Sequence, residues 1–377
     1  MLRFDRRLLL HFDWALLVTL LIVIGISLMN LYSASHVGYP GTPPYVKQIY
    51  YYLAGGLLVL AIISFDYRLL LKLNYPIYGA VVLLLIVATL FGKTTMGAQR
   101  WINLGFIKLQ PSELAKLSMV ITLASYYCRK DTGKGFRLLE LIPPAGLLLL
   151  PFALIVEQPD LGTALMLAFV FGSMTLFVKL RLGTVIILLM LILPAVPLAW
   201  KHGLKPYQRQ RVETLFAPES DPLGAGYHIM QSKIAVGSGQ TFGKGYLAGT
   251  QVHLDFLPER HTDFAFSVLA EEWGFAGAVF FLVWYFFLVF LGLNVAGAAR
   301  DKFGVLLAFG VTSLLFWQAF VNLAMVLGLL PVVGMPLPLF SYGGSSLLTN
   351  LAGIGILLSV RMRRFSRGGN KNWGQAG

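Results

Sequence analysis

Ten separate apolar runs, each about as long as a bilayer is thick, divide this chain from end to end. They fall at about Phe12–Leu31, Gln48–Ile63, Ile77–Phe91, Ser112–Tyr127, Leu139–Val156, Leu161–Val178, Gly183–Trp200, Phe264–Val295, Val305–Leu330 and Ser345–Val360. In hydrocarbon every backbone polar group must be paired inside the segment, so such runs fold as helices. The expected class is an all-α polytopic membrane protein: a bundle of about ten transmembrane helices, one transmembrane domain over residues 1–377. Hydrophobic residues make up 57% of the chain and charged ones 12%, which excludes an ordinary soluble domain. The net charge of +13 is no nucleic-acid footprint, because the basic residues punctuate the apolar runs. A single cysteine, Cys128, rules out an intramolecular disulfide and argues against a Cys-based metal site.

Lys and Arg set the orientation. The first run follows Arg3, Arg6 and Arg7 and is too long for a signal-peptide core, so it reads as an uncleaved anchor. With the N-terminus inside and ten alternating spans, inner segments hold 18 basic residues, including Arg68, Arg129, Lys134, Arg300, Lys302, Arg367 and Lys371. Short outer loops hold only 4: Lys47, Lys93, Arg100 and Lys108. Both termini are expected in the cytoplasm. The segment 201–262, between spans 7 and 8, is then a large extracytoplasmic loop. Its mixture of Tyr207, Arg209, Arg211, Tyr227, His228 and Lys233, followed by the glycine-rich Gly237–Gly249, argues for structure rather than disorder.

The polar residues at outer span ends face the same side. LPERHTDFAFSVLAEEWG (Leu257–Gly274) runs from Pro258, Glu259, Arg260 and His261 into an apolar helix that Thr262 or Asp263 can cap. Glu271 and Glu272 follow roughly 12–13 Å further down that helix, at ~1.5 Å per residue. Carboxylates at such a place are costly, and their default reading is functional. KTTMGAQRWINLG (Lys93–Gly105) is a short outer segment with Gly97, Arg100 and Trp101; its plain alternative is Arg100 snorkelling to headgroups. QPSELAK (Gln110–Lys116) opens the fourth span with Pro111 in its first turn, and Glu113 and Lys116 share one face. Their plain alternative is a structural ion pair. Asp160 in EQPDLGTAL is a candidate helix cap as well as a site residue. PLPLFSYGGSS (Pro336–Ser346), with Ser341 and Ser345, is irregular backbone that must be buried in protein or line a cavity. Together these describe a cavity opening outward, suited to an amphipathic substrate with an anionic head and a lipid tail.

LQPSELAKL, EQPDLGTAL, YQRQRV with SDPLGAGYHIMQSKIA, LPERHTDFAFSVLAEEWG and PLPLFSYGGSS together resemble the SEDS family over nearly the whole chain. The PLPLFSYGGSS and LPERHTDF forms resemble its elongation branch more than its division branch. One departure is KTTMGAQRW, where a more serine-rich start is usual. The resemblance implies a peptidoglycan glycosyltransferase that polymerises lipid II on the outer face of the bacterial cytoplasmic membrane, for elongation and rod shape. It implies a class B penicillin-binding protein as transpeptidase partner. It places the essential aspartate on Asp263, an acid and a base on Glu113 and Lys116, and a further aspartate on Asp160.

The residues fit that chemistry. A sugar hydroxyl attacking an anomeric carbon needs one base, and a pyrophosphate leaving group needs charge stabilisation more than protonation. That matches one candidate base, Asp263, among the candidate binding residues Arg100, Glu113, Lys116, Asp160, Arg209, Arg211, Lys233, Glu259, Arg260, His261, Ser341 and Ser345. No cofactor is expected with certainty; cationic side chains and a divalent cation both stay open as the stabilising charge. The rival class is a flippase for lipid-linked precursors, against which stands the absence of repeated interrupted helices.

Overall fold

The computed structural model describes residues 11–35, 41–95, 98–103, 108–130, 133, 135–203, 205–221, 224–253, 256–257 and 259–365. Arg3, Arg6, Arg7, Gly97, Gly105, Lys134, Pro258, Arg367 and Lys371, named above, lie outside them.

Each apolar run becomes a helix. These are α1 (Trp14–Ser35), α2 (Pro44–Ser64), α3 (Arg68–Phe91), α4 (Pro111–Arg129), α5 (Ile142–Glu157), α6 (Leu161–Phe177) and α7 (Leu182–Leu198). The segment after α7 contains α8 (Pro206–Phe216), α9 (Ala225–Ser238) and the short α10 (Thr250–His253). The chain then closes with α11 (Ala265–Gly297), α12 (Lys302–Val326) and α13 (Gly344–Met362). Seven of the described helical segments are long and apolar enough to cross a membrane by length and composition. Helices α6 and α7 are shorter, and α4 carries Glu113 and Lys116 in its first turns.

Burial sorts these helices. Helices α4, α12 and α13 are buried on nearly every face and form the centre. Helices α2, α3, α5 and α7 instead expose large side chains such as Leu57, Leu60, Leu83, Leu90, Leu149 and Leu193. An apolar outer surface around a partly polar interior is the arrangement a bilayer solvates. Ends of helices gather into two sets. At one, Arg361 pairs with Asp13 at 3.0 Å, Arg68 pairs with Asp301 at 3.1 Å, and Lys302 donates to the carbonyl of Lys130. Helix α1 leaves that set beside Arg361 and reaches the other beside Arg260, whose Nε donates to the carbonyl of Ala34 at 2.9 Å.

Three features differ from the sequence reading. The segment after α3 is not merely loop: β1 (Lys93–Thr95), β2 (Ala98–Asn103) and β3 (Lys108–Leu109) form an antiparallel sheet in the order β1-β2-β3, so the fold is not purely α. Neither Thr262 nor Asp263 caps α11; Phe264 holds that position and no side chain caps it. Helix α11 is also broken just beyond its two glutamates. Gly274 has φ 65° and ψ −164°, outside helical space, and only glycine adopts this readily. The glycine-rich loop pairs the freed backbone, with Lys244 N–H donating to the carbonyl of Glu271 and Phe275 N–H to that of Gln240. The Glu271 carboxylate turns toward the same loop and takes Lys244 Nζ at 2.7 Å.

Candidate active site

Asp263 lies in the turn that precedes α11. Glu259, at φ 52°, closes the turn by accepting the N–H groups of Thr262 and Phe264 at its carbonyl. Its carboxylate accepts the Thr262 hydroxyl at 2.8 Å. The carbonyl of His261 accepts Tyr342 N–H at 2.8 Å, which joins the turn to the loop before α13. Asn322, fully buried on α12, donates to the carbonyl of Asp263 at 2.8 Å and to that of Met335 at 2.7 Å. Gly334, at φ 70°, lies next to the Asp263 carboxylate, whose Oδ2 would be 3.6 Å from a Cβ at that position. Burial pushes that carboxyl up most, the Glu259 carboxylate adds to this, Arg211 opposes it and Asp160 adds a little more. The result is about 7, far above the ordinary 3.8.

Asp160 is the second acid. It caps α6 by accepting Thr163 N–H at 3.3 Å, so the helix-cap reading holds. It does more than cap: it also accepts the Thr163 hydroxyl at 2.9 Å, Gln110 Nε2 at 3.2 Å and the Ser112 hydroxyl at 3.3 Å. Arg100 reaches it from β2 at 3.9 Å. Arg100 donates to the carbonyls of Gln158 and Pro159 as well, which fixes the guanidinium over the turn between α5 and α6. One turn further along α4, Lys116 donates to Glu113 Oε1 at 2.9 Å, with both side chains buried.

Arg211 faces these acids from α8. It is half-buried and makes no hydrogen bond or ion pair to a described residue, yet it feels Arg100, Tyr207, Asp160 and Asp263. Burial and then Arg100 press its pKa downward. Arg211 is thus a cation with uncommitted donors, within the field of two carboxylates. Asp263, Glu259, Asp160, Arg100 and Arg211 form one charged group at one end of the bundle.

Other residues singled out in the sequence take different places. Arg209 donates to the carbonyl of Lys201 at 2.8 Å, and exposed Lys233 packs against Gly328. Arg260 holds α1 through Ala34. Ser341 accepts Leu337 N–H at 3.0 Å within its own loop. Ser345 accepts Gln110 N–H at 3.2 Å and donates to the carbonyl of Lys108 at 2.8 Å, so it joins the sheet to α4 and α13. His261 lies against the Tyr342 ring, 5.9 Å between centroids. Two residues of the site were not singled out as such. Asn322 was hidden inside an apolar run, where a lone amide is itself a signal. His228 stacks flat on Phe264, the neighbour of Asp263, at 5.8 Å. Among the described residues no three His, Cys, Asp or Glu side chains gather as a metal site.

Comparison with known proteins joins this geometry to a family. The cell cycle protein family model of FtsW, RodA and SpoVE matches residues 7–365. The chain belongs to the SEDS family. This SEDS chain is 41% identical over 363 residues to the peptidoglycan glycosyltransferase MrdB of Escherichia coli K12, covering 94% of each chain. It is 33% identical to the peptidoglycan glycosyltransferase RodA of Treponema pallidum, covering 94% of this chain and 98% of that one. Among solved structures it matches a chain of a peptidoglycan synthase complex with a TM-score of 0.81 at 34% identity, over 94% of this chain and 99% of that one. It also matches the rod shape determining protein RodA of Thermus thermophilus with a TM-score of 0.69 at 32% identity, over 94% and 98%.

Proposed function

We propose that this SEDS chain is a peptidoglycan glycosyltransferase of the elongation type, polymerising lipid II with Asp263 as its general base. The observation that carries the reading is the Asp263 carboxylate itself: poised near neutrality at about 7, next to Gly334, and within the field of an uncommitted Arg211. A base works best when its pKa lies near the working pH. The acceptor hydroxyl gives its proton to Asp263 as its oxygen bonds to the donor's anomeric carbon. The bond from that carbon to the pyrophosphate oxygen breaks, and the lipid pyrophosphate leaves as an anion. Arg211 and Arg100 are the charges suited to receive it, since guanidinium matches phosphate bidentately. Asp160 and Glu259 keep the guanidinium groups and Asp263 in register.

Similarity to MrdB, at 41%, exceeds that to the probable FtsW of Trichlorobacter lovleyi, at 35%, which favours elongation over division. The chain is a multi-pass membrane protein. Ten alternating spans in the bacterial cytoplasmic membrane, termini inside and Asp263 at the outer face, account for the two sets of helix ends and for the distribution of Lys and Arg. A class B penicillin-binding protein is the expected partner, consistent with the peptidoglycan synthase complex among the structural matches. Membrane lipids surround the apolar faces. The charged group gathers at one end of the helices, as a surface polymerase requires and a path across the bilayer does not.

The test is polymerisation of lipid II by the purified chain with its transpeptidase, compared with Asp263→Asn. Glycan from the wild type alone supports the reading. Transport of lipid II between leaflets without polymer makes the chain a flippase instead. A reporter after Arg364 should be cytoplasmic and one near Ser220 outside.

A further inference from the structure

Far from Asp263, at the helix ends that hold Arg361, α1 begins and α11 and α13 end around a cavity of about 460 Å³. That is an ordinary size for a small-ligand site. Its polar walls come from three helices: Asp13 beside the start of α1, Asn294 in the last turn of α11 and Arg361 in the last turn of α13. Gly297 and Ala298 line it with small residues, and a Cβ at Gly297 would meet no neighbouring element within 4 Å.

The polar walls keep bonding capacity in reserve. Asp13 accepts Leu16 N–H through Oδ1 at 3.1 Å, and its Oδ2 lies 3.0 Å from Arg361 Nε. The Arg361 Nη atoms and the Asn294 amide make no hydrogen bond to a described residue. Both can be reached from outside: the Arg361 side chain is 23% exposed, and Asn294 is exposed. Below these groups the surface turns apolar. Trp14, 66% exposed, Val18 and Leu21 form an i, i+4, i+7 stripe on α1, and Leu293 and Phe290 are exposed on α11. A tryptophan at a helix end belongs to the interfacial belt. A polar cup above two apolar tracks fits an amphiphile, its head in the cup and its chains along the helices. A neighbouring membrane helix fits less well, because its backbone groups are already paired and cannot answer the free donors.

The charges of the cup select the head. It holds one carboxylate and one guanidinium. A phosphodiester suits the free Nη donors of Arg361, since guanidinium binds phosphate bidentately. Asp13 accepts only, so the group beside it must donate. A purely anionic head would set its charge next to that carboxylate, and a choline has no N–H to give. We propose that this cavity binds the head of a phospholipid that carries both a phosphodiester and a primary ammonium, the phosphoethanolamine type. Arg361 and Asn294 take the phosphodiester, and Asp13 takes the ammonium. The site is independent of the polymerase chemistry; its assignment to the inner leaflet rests on the orientation proposed for the chain.

The test is native mass spectrometry of the full chain in detergent, titrated with phosphatidylethanolamine, phosphatidylglycerol and phosphatidylcholine of matched acyl chains. Gly297→Leu places a side chain in the cavity, and Asn294→Leu removes the amide from an exposed position. Neither touches the Asp13–Arg361 pair, so thermal unfolding without added lipid should match the wild type. Phosphatidylethanolamine should bind most tightly. Gly297→Leu should weaken it about tenfold or more, and Asn294→Leu about threefold to tenfold, the range of one or two lost hydrogen bonds. Phosphatidylcholine or phosphatidylglycerol binding as tightly as phosphatidylethanolamine overturns the proposed head. Wild-type affinity for phosphatidylethanolamine in both variants overturns the site. A reporter after Arg364 found outside overturns the inner leaflet alone and leaves the binding result standing.

Discussion

Asn322 donates its side-chain amide to the backbone carbonyl of Asp263 at 2.8 Å, and with its second N–H to the carbonyl of Met335 at 2.7 Å. One buried amide therefore fixes the turn that carries the candidate base and the irregular loop before α13 at the same time. Both partners are acceptors. Asn322→Asp turns a carboxylate onto two carbonyl oxygens, whereas Asn322→Ala only leaves them unpaired, at about 1–3 kcal/mol per buried group. Thermal unfolding should rank wild type above Ala and Ala above Asp, and kcat should fall with KM for lipid II little changed. Equal stability and activity of the Asp variant would remove Asn322 from the site.

Asp263→Asn should abolish polymerisation and leave the fold intact. A lost base typically costs ~10²–10⁴ in rate. The competing helix-cap role is gone, because Phe264 occupies the cap position of α11 and no side chain caps it. Stability supplies a second readout, with a definite sign. The carboxyl of Asp263 titrates near 7 when folded and near its ordinary 3.8 when unfolded, so the folded chain binds the extra proton between those values. Its contribution to stability is full below about 3.8 and is lost as pH rises through about 7. Asp263→Asn should therefore melt above the wild type at pH 8, and the gap should close toward pH 4. A variant that makes glycan at near-normal rate places the base elsewhere.

The pH profile of polymerisation follows from the same neighbours. A base must be ionised, so the rate should rise with pH through about 7. Glu259 raises the Asp263 pKa by like charge and Arg211 lowers it. Glu259→Gln keeps an oxygen for Thr262 but removes the charge, so the rising limb should move to lower pH. Arg211→Gln should move it to higher pH, besides weakening binding of the leaving group. Limbs that stay in place in both variants would assign the titration to another group.

Gly274→Ala tests the broken helix. A side chain at φ 65° is strained, and the added Cβ would meet the backbone of Phe242 and Gly243 in the loop that pairs the break. The cost should exceed about 1 kcal/mol. Asp263 precedes the same short helical segment, so the rate should fall along with the melting temperature.

Much of this architecture is legible in the amino-acid sequence, and the gaps have physical causes. Ten apolar runs announce ten helices because hydrocarbon leaves the backbone no alternative. Asp263, Glu259, Asp160 and Arg100 are visible as polar residues at span ends, where their cost demands an explanation. The sheet was missed because its strands have 3, 6 and 2 residues, too short for an alternating pattern to register. The break at Gly274 was missed because a glycine inside an apolar run looks like ordinary membrane-helix composition. Arg209 and Arg211 looked equivalent until α8 placed them on different faces, one on Lys201 and the other toward Asp160 and Asp263. Asn322 meets Asp263 across 59 residues of sequence, a distance no local pattern spans.

Glu113 and Lys116 leave two accounts to separate. Lys116 Nζ lies 2.8 Å from one Glu113 oxygen and donates to the other at 2.9 Å, with both side chains almost wholly buried. Removing one partner of such a pair strands a charge and typically costs about 3–5 kcal/mol, while removing both together costs less. A purely structural lock therefore predicts that Glu113→Gln with Lys116→Met is more stable, and more active, than either single variant. A role in handling substrate predicts something else. The double variant then recovers stability but stays as inactive as the singles, because Ser112, in the same turn of α4, touches Asp160 and brings the pair close to the charged group. Thermal unfolding and polymerisation of the three variants, measured side by side, decide between them. We expect stability to recover in the double variant and activity not to.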